Sequence, residues 1–224
     1  MNWLVVAAHP DDEVLGAGGT ISKLIGEGHR LAVALMCKSV SVRSNVSKTL
    51  FDDMTRAMKF LGVQQIFHAD FPNICMNTVP HLELVQFVES CIRDWEAQVL
   101  VTHHPGDTNI DHRETGKAVN AACRLFQRTE GVLPLRELLY MEIPSSTEWT
   151  LNPADCPFRP NTFVRIGKEG LEKKLSALCE YSGVMRQYPH PRSTEAITGL
   201  AAYRGAQAGI DYAEAFECVF RSII

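Results

Sequence analysis

Val5-Val6-Ala7-Ala8-His9-Pro10-Asp11-Asp12-Glu13 is an apolar run that ends abruptly in a histidine and two adjacent carboxylates. The run reads as a buried strand over residues 3–8. A buried strand has no packing reason to finish in such a cluster. A divalent metal and a catalytic base would account for it. Pro10 fixes φ at the turn, so His9 and Asp12 can aim at one point while Asp11 faces elsewhere. One carboxylate then ligates metal and its neighbour handles a proton. The alternative is that Asp11 and Asp12 cap the following helix, where acidic residues suit the N-terminus. Capping accounts for one Asp but not for the histidine.

A second stretch answers the first about a hundred residues on. Gln98-Val99-Leu100-Val101-Thr102 reads as another buried strand, ending in His103-His104-Pro105-Gly106-Asp107-Thr108-Asn109-Ile110-Asp111-His112-Arg113, with a helix expected from about Glu114. In open α/β sheets the site lies outside the carboxyl ends of the strands, so two such loops meet if the strands are parallel. His9, Asp12 and His112 would then form a site of two histidines and one carboxylate. That donor set suits zinc with a position left open for water, and iron(II) also accepts it.

The rest of the chain alternates in the same way. Helices are expected over residues 13–27, 48–61, 82–95, 114–126, 170–181 and 195–205. Strands are expected over 31–36, 65–68, 138–143, 161–166 and 215–221. Strands alternating with helices imply an α/β fold with a mainly parallel sheet and right-handed crossovers. Gly16-Ala17-Gly18-Gly19 invites a dinucleotide-binding reading. The turn itself, however, carries two carboxylates that would repel a pyrophosphate, and the glycines lie a turn into the helix. Close helix–sheet packing is the better use for them.

The AHPDDE segment, with a second motif ending in Asp111-His112, resembles the PIG-L/LmbE-like zinc-dependent de-N-acetylases. The likeness extends to Pro144-Ser145-Ser146-Thr147-Glu148-Trp149, Pro189-His190-Pro191-Arg192-Ser193 and Tyr203-Arg204-Gly205. It implies one domain over residues 1–224, a Rossmann-like three-layer sandwich with the active site at the C-terminal ends of the strands. It also implies His9, Asp12 and His112 as metal ligands, Asp11 as general base, Zn2+ as cofactor and an N-acetylated amino sugar as small-molecule substrate. The family pattern His-x-Asp-His stands here as Asn109-Ile110-Asp111-His112. Asn109 can donate a hydrogen bond to an oxyanion but cannot supply a proton near neutral pH, and His190 is the candidate for the missing acid. Asp111 and His104 are candidates for orienting the ligands, and Arg43 and Arg192 for contacting substrate. A related amidase acting on a formamide, a thiol conjugate or a glycopeptide, and a non-catalytic metal-binding module, are the competing readings. The module has no need of Asp11.

Bulk composition excludes several classes. The chain has 224 residues, a formal net charge of −4 and seven scattered cysteines. No basic stripe points to nucleic acid, and no apolar run approaches the ~20 residues of a spanning helix. Neither a signal peptide nor a membrane anchor is evident. Without a C-x-x-C pair, the cysteines read as reduced thiols in a cytoplasmic protein. Homo-oligomers are common among soluble enzymes, which is the only expectation for quaternary structure.

Overall fold

The computed structural model describes residues 1–38, 50–151 and 156–223. Arg43 and most of the polar segment before the second helix lie outside the described residues. Among the described residues, seven strands form one sheet in the order β3-β2-β1-β4-β5-β7-β6. These are β1 (Asn2–Ala7), β2 (Arg30–Leu35), β3 (Gln65–His68), β4 (Val99–His103), β5 (Glu137–Met141), β6 (Thr162–Arg165) and β7 (Ala213–Arg221). β1 to β5 run parallel, and β7 lies antiparallel between β5 and β6. The helices are α1 (Asp12–Gly26), α2 (Leu50–Leu61), α3 (His81–Trp95), α4 (Ile110–Ala122), α5 (Gly167–Cys179) and α6 (Thr194–Gln207).

The strands are apolar at nearly every position because both faces of the sheet are covered. Trp3, Val5, Ala7, Val33 and Val101 pack with residues of α1, α2, α5 and α6. Their neighbours Leu4, Val6, Ala8, Ala34 and Leu100 point the other way, into a core shared with α3 and α4. This period-two division creates the three-layer sandwich. β1 is central, with β2 on one side and β4 on the other, so the chain changes winding direction between β1 and β4. The loops leaving those strands diverge to opposite faces there and open a crevice at their C-terminal ends.

The glycine cluster in α1 serves packing. A Cβ on Gly16 would stand 2.5 Å from Met141 Sδ and 2.9 Å from Ile143 Cδ1, so only glycine lets α1 lie this close to the end of β5. Gly16→Ala is therefore expected to destabilise the fold by about 1–3 kcal/mol through overpacking. A denaturant midpoint unchanged from wild type would contradict that.

The structure corrects one boundary. The fourth helix begins at Ile110, not near Glu114, because Asn109 caps it by accepting the Asp111 N–H at 2.9 Å. Asp111 and His112 therefore sit in its first turn, with side-chain directions set by the helix and not by a loop.

Candidate functional site

The ends of β1 and β4 are tied together before any site side chain is considered. Ala8 N–H donates to His103 Nε2 at 2.8 Å, locking the backbone after β1 to the last residue of β4. His9 N–H then donates to Asp12 Oδ2 at 3.0 Å, which folds the turn so that both side chains share one side. Asp12 Oδ2 is the hub, 3.2 Å from His9 Nδ1 and 3.2 Å from His112 Nε2. His9, Asp12 and His112 are buried, and one ligand atom from each lies within 4.8 Å of the others.

The far nitrogen of each imidazole is held by a second carboxylate. His9 Nε2 donates to Asp111 Oδ2 at 2.9 Å, and His112 Nδ1 lies 3.2 Å from Asp107 Oδ2. In the neutral ring, a proton committed to the outer carboxylate leaves the inner nitrogen with its lone pair facing Asp12. Metal-ligating histidines are oriented this way. Asp111 is anchored in turn by the backbone N–H groups of Ile74 (2.5 Å) and Met76 (3.0 Å). Asp107 is anchored by the Ser146 hydroxyl, by Thr147 Oγ1 at 2.7 Å and by Asn109 N at 2.8 Å. Gly116 allows α4 to approach β4, since a Cβ there would stand 2.7 Å from His103 O. The His103 and His112 rings consequently stack, 4.0 Å apart.

The electrostatics favour a cation. Burial opposes charge on His112, but Asp12 and Asp107 outweigh it and hold its pKa up at about 9. Burial likewise opposes charge on Asp12, yet His112 and His103 hold it well below the usual carboxylate range. A cluster that attracts protons onto its ring nitrogens also attracts a metal ion that replaces them. Asp107→Asn removes the outer charge on His112 while keeping its size. It is expected to weaken metal affinity by about 10–100-fold, measured by competition with a chromophoric chelator.

Asp11 stands apart from that hub. It takes φ 113°, a region that non-glycine residues seldom occupy. Its N–H donates to Glu13 Oε2 at 3.2 Å, and Glu13 receives the Tyr181 hydroxyl on its other oxygen. The Asp11 carboxylate turns to Arg192 Nη1 at 2.9 Å, and Arg192 Nε is held by Ser145 Oγ at 2.8 Å. Burial raises the Asp11 pKa and Arg192 only partly restores it, leaving it at about 6. Glu13 is pushed further, to about 8, by its complete burial.

Other residues named from the sequence fall as follows. Asp111 sits on His9 and not on Arg113, whose Nε donates to Asp107 O. Asn109 spends its side-chain oxygen on the helix cap. His190 is exposed, and its Nδ1 accepts the Arg192 N–H at 3.0 Å. Among the described residues, the group this loop delivers to Asp11 is Arg192. His104 turns away from the hub, with Nδ1 on Gly106 N and its ring edge-on to Tyr140 and Phe158. From the sequence, Asp107 reads equally as a turn residue after Gly106 and as a substrate contact, and Glu13 and Tyr181 carry no assignment. Asp107 had a legible signal, five residues before His112 in a histidine-rich loop. Tyr181, 168 residues from Glu13, had none.

Two imidazoles with fixed outer protons and one charged carboxylate fit a divalent metal; neutral nitrogen and ionised oxygen donors are what such an ion binds. Comparison with known proteins agrees with this reading. Residues 4–123 match the family model described as PIG-L: GlcNAc-PI de-N-acetylase. The uncharacterized deacetylase YaiS of Escherichia coli K12 is 28% identical over 183 residues, covering 78% of this chain and 87% of that protein. The N,N'-diacetylchitobiose deacetylase of Pyrococcus horikoshii superposes with a TM-score of 0.79 at 19% identity, over 97% of this chain and 83% of that one. GalB, the 4-carboxy-2-hydroxymuconate hydratase of Pseudomonas putida KT2440, superposes with a TM-score of 0.78 at 21% identity, over 100% and 98%. At those identities the two solved structures speak to the fold, whereas the sequence model covers more than half of the chain and carries both the AHPDDE turn and Asp111-His112: this protein belongs to the PIG-L family of de-N-acetylases.

Proposed function

We propose that this chain is a zinc-dependent N-deacetylase that removes acetate from a small amino-sugar substrate, with residues 1–224 acting as one catalytic domain. The observation that carries the reading is the division of labour at the turn after β1. Asp12 faces two histidines, whereas Asp11, the next residue back, is turned to Arg192. A binding site needs the first arrangement. Only a reaction needs the second.

His9, Asp12 and His112 would hold the ion, with Asp111 and Asp107 fixing the two rings. The chemistry supplied by a divalent ion bound there would be to lower the pKa of a water towards about 7 and to polarise the amide carbonyl. Asp11 accepts the proton of the attacking water and returns it to the departing nitrogen, so that the amide C–N bond is exchanged for acetate and a free amine. A base with its pKa near 6 suits both transfers at neutral pH. Arg192 pins the carboxylate between transfers. Asn109 keeps its side-chain NH2 as a donor to the developing oxyanion. His190, whose Nδ1 accepts the Arg192 N–H, offers its Nε2–H as a hydrogen-bond donor to the substrate.

Amino-sugar chemistry is supported by the family description. The hydratase likeness is a reminder that this fold carries other reactions. Among the described residues no helix is long and apolar enough to cross a membrane. With seven free cysteines, a reducing cytoplasmic setting is the proposed location.

The test is acetate release by zinc-loaded protein from free N-acetylglucosamine, its nucleotide diphosphate form, an N-acetylated disaccharide and a glycolipid headgroup. Release from one of them, lost in Asp11→Asn, is expected. Silence across the panel with one zinc bound would move the reading to another acyl group or scaffold. Absence of bound zinc would remove it.

A further inference from the structure

His9 is approached by metal-ligand side chains from both sides of its ring. Cys37 lies two residues past the end of β2, and its N–H donates to Ala8 O at 2.9 Å, which runs it alongside the turn after β1. Its side chain is buried beside His9. Asp111 comes from the first turn of α4 on the other wall of the crevice. One ligand atom each from His9, Cys37 and Asp111 lies within 4.8 Å of the others. Three separate elements thus converge on a thiol, an imidazole and a carboxylate. Neither the hub at Asp12 nor the proposed proton transfers require that thiol.

We propose that His9, Cys37 and Asp111 form an alternative cation position for a thiophilic divalent ion, exclusive of the position at Asp12 and His112. The donor set matches zinc, cadmium or cobalt, which accept sulfur, nitrogen and oxygen together. Little rearrangement is needed. Bonds of about 2.0–2.1 Å at a tetrahedral ion separate nitrogen from oxygen by roughly 3.3 Å, and His9 Nε2 already lies 2.9 Å from Asp111 Oδ2. The ion displaces the Cys37 thiol proton, and the one proton of the neutral His9 ring passes from Nε2 to Nδ1. Thiolate and carboxylate then balance its charge, which makes the buried location tolerable. Asp111 keeps its Oδ1 bond to Met76 N throughout.

Exclusivity follows from the shared ring. A neutral imidazole has one lone-pair nitrogen. Binding through Nε2 leaves the proton on Nδ1, directed at Asp12, and the inner set loses a ligand. An ion more thiophilic than the resident one, such as cadmium against zinc, therefore inhibits by occupying this position and excluding the one at Asp12 and His112.

Cobalt(II) titration of the full-length protein tests this without recourse to activity. Wild type is expected to develop a near-ultraviolet thiolate-to-cobalt charge-transfer band beyond its visible d–d bands. Cys37→Ser and Cys37→Ala should lose the charge-transfer band and keep the d–d bands of cobalt held by His9, Asp12 and His112. His112→Ala, which breaks the inner set, should keep the charge-transfer band. Its absence from both wild type and His112→Ala would overturn the proposal, as would a band that survives in the Cys37 variants. Loss of the d–d bands together with the charge-transfer band in Cys37→Ser would count against the Asp12–His112 position and leave the thiol position standing.

Discussion

Asp11→Asn is expected to bind zinc with wild-type stoichiometry and to lose about 10²–10⁴-fold in turnover, the range contributed by a positioned general base. The substitution is close to isosteric, and Asn tolerates positive φ nearly as well as Asp. The backbone bond to Glu13 does not depend on the Asp11 side chain, and an amide oxygen can still accept from Arg192. The ligand hub does not include Asp11. What disappears is a group able to take and return a proton. Metal content, the thermal midpoint and kcat measured on one preparation separate the outcomes. Unchanged kcat would remove Asp11 from the reaction. Lost metal would instead make it part of the binding set.

Glu214→Ala is expected to cost about 3–5 kcal/mol, the range for leaving a buried charge without its partner. At about 2–4 °C per kcal/mol for a chain of this length, the thermal midpoint falls by roughly 6–20 °C. Glu214, on β7, is 2.7 Å from Lys174 Nζ on α5, with both side chains almost fully enclosed. It also accepts the backbone N–H groups of Gly19 and Thr20 in α1, while Lys174 donates to Leu15 O. One carboxylate therefore joins three elements, and alanine strands the ammonium and both amides. The double variant Lys174→Met with Glu214→Leu should recover most of the loss, because a well-packed apolar pair replaces a buried ion pair at little net cost. A double variant no better than Glu214→Ala would show that the backbone contacts, and not the ion pair, carry the energy.

The two predictions draw on different levels of information. Asp11 was named from the sequence, because a carboxylate pair closing an apolar strand has so few uses. Nothing in the sequence joins Glu214 to Lys174. They sit on ordinary amphipathic elements, and a charged residue on such an element normally faces water. Only the antiparallel return of β7 between β5 and β6 turns Glu214 inward.

The same division runs through the candidate site. Strand ends announced themselves by a change of chemistry at His9 and His103, and the alternation of strands with helices implied the parallel sheet that brings them together. The fourth helix was placed too late because Asn109, Asp111 and His112 look like loop residues. Their local role, a cap followed by a first turn, depends on where the side chains point. The groups that hold the site in place were the least legible. Asp107 bonding His112, Tyr181 on Glu13 and Arg192 on Asp11 are contacts between residues 5 to 181 positions apart. Such contacts leave no periodicity and no composition bias.

Sequence alone determined the α/β class and the two loops that form the candidate site, and it suggested an Asp12 ligand beside an Asp11 base, because each follows from local residue type and spacing. Tertiary structure decided which nitrogen of each histidine faces inward, which arginine meets Asp11 and that Cys37 lies against His9. Those depend on distances between segments remote in the chain, set by strand order and by the packing of α4 against β4.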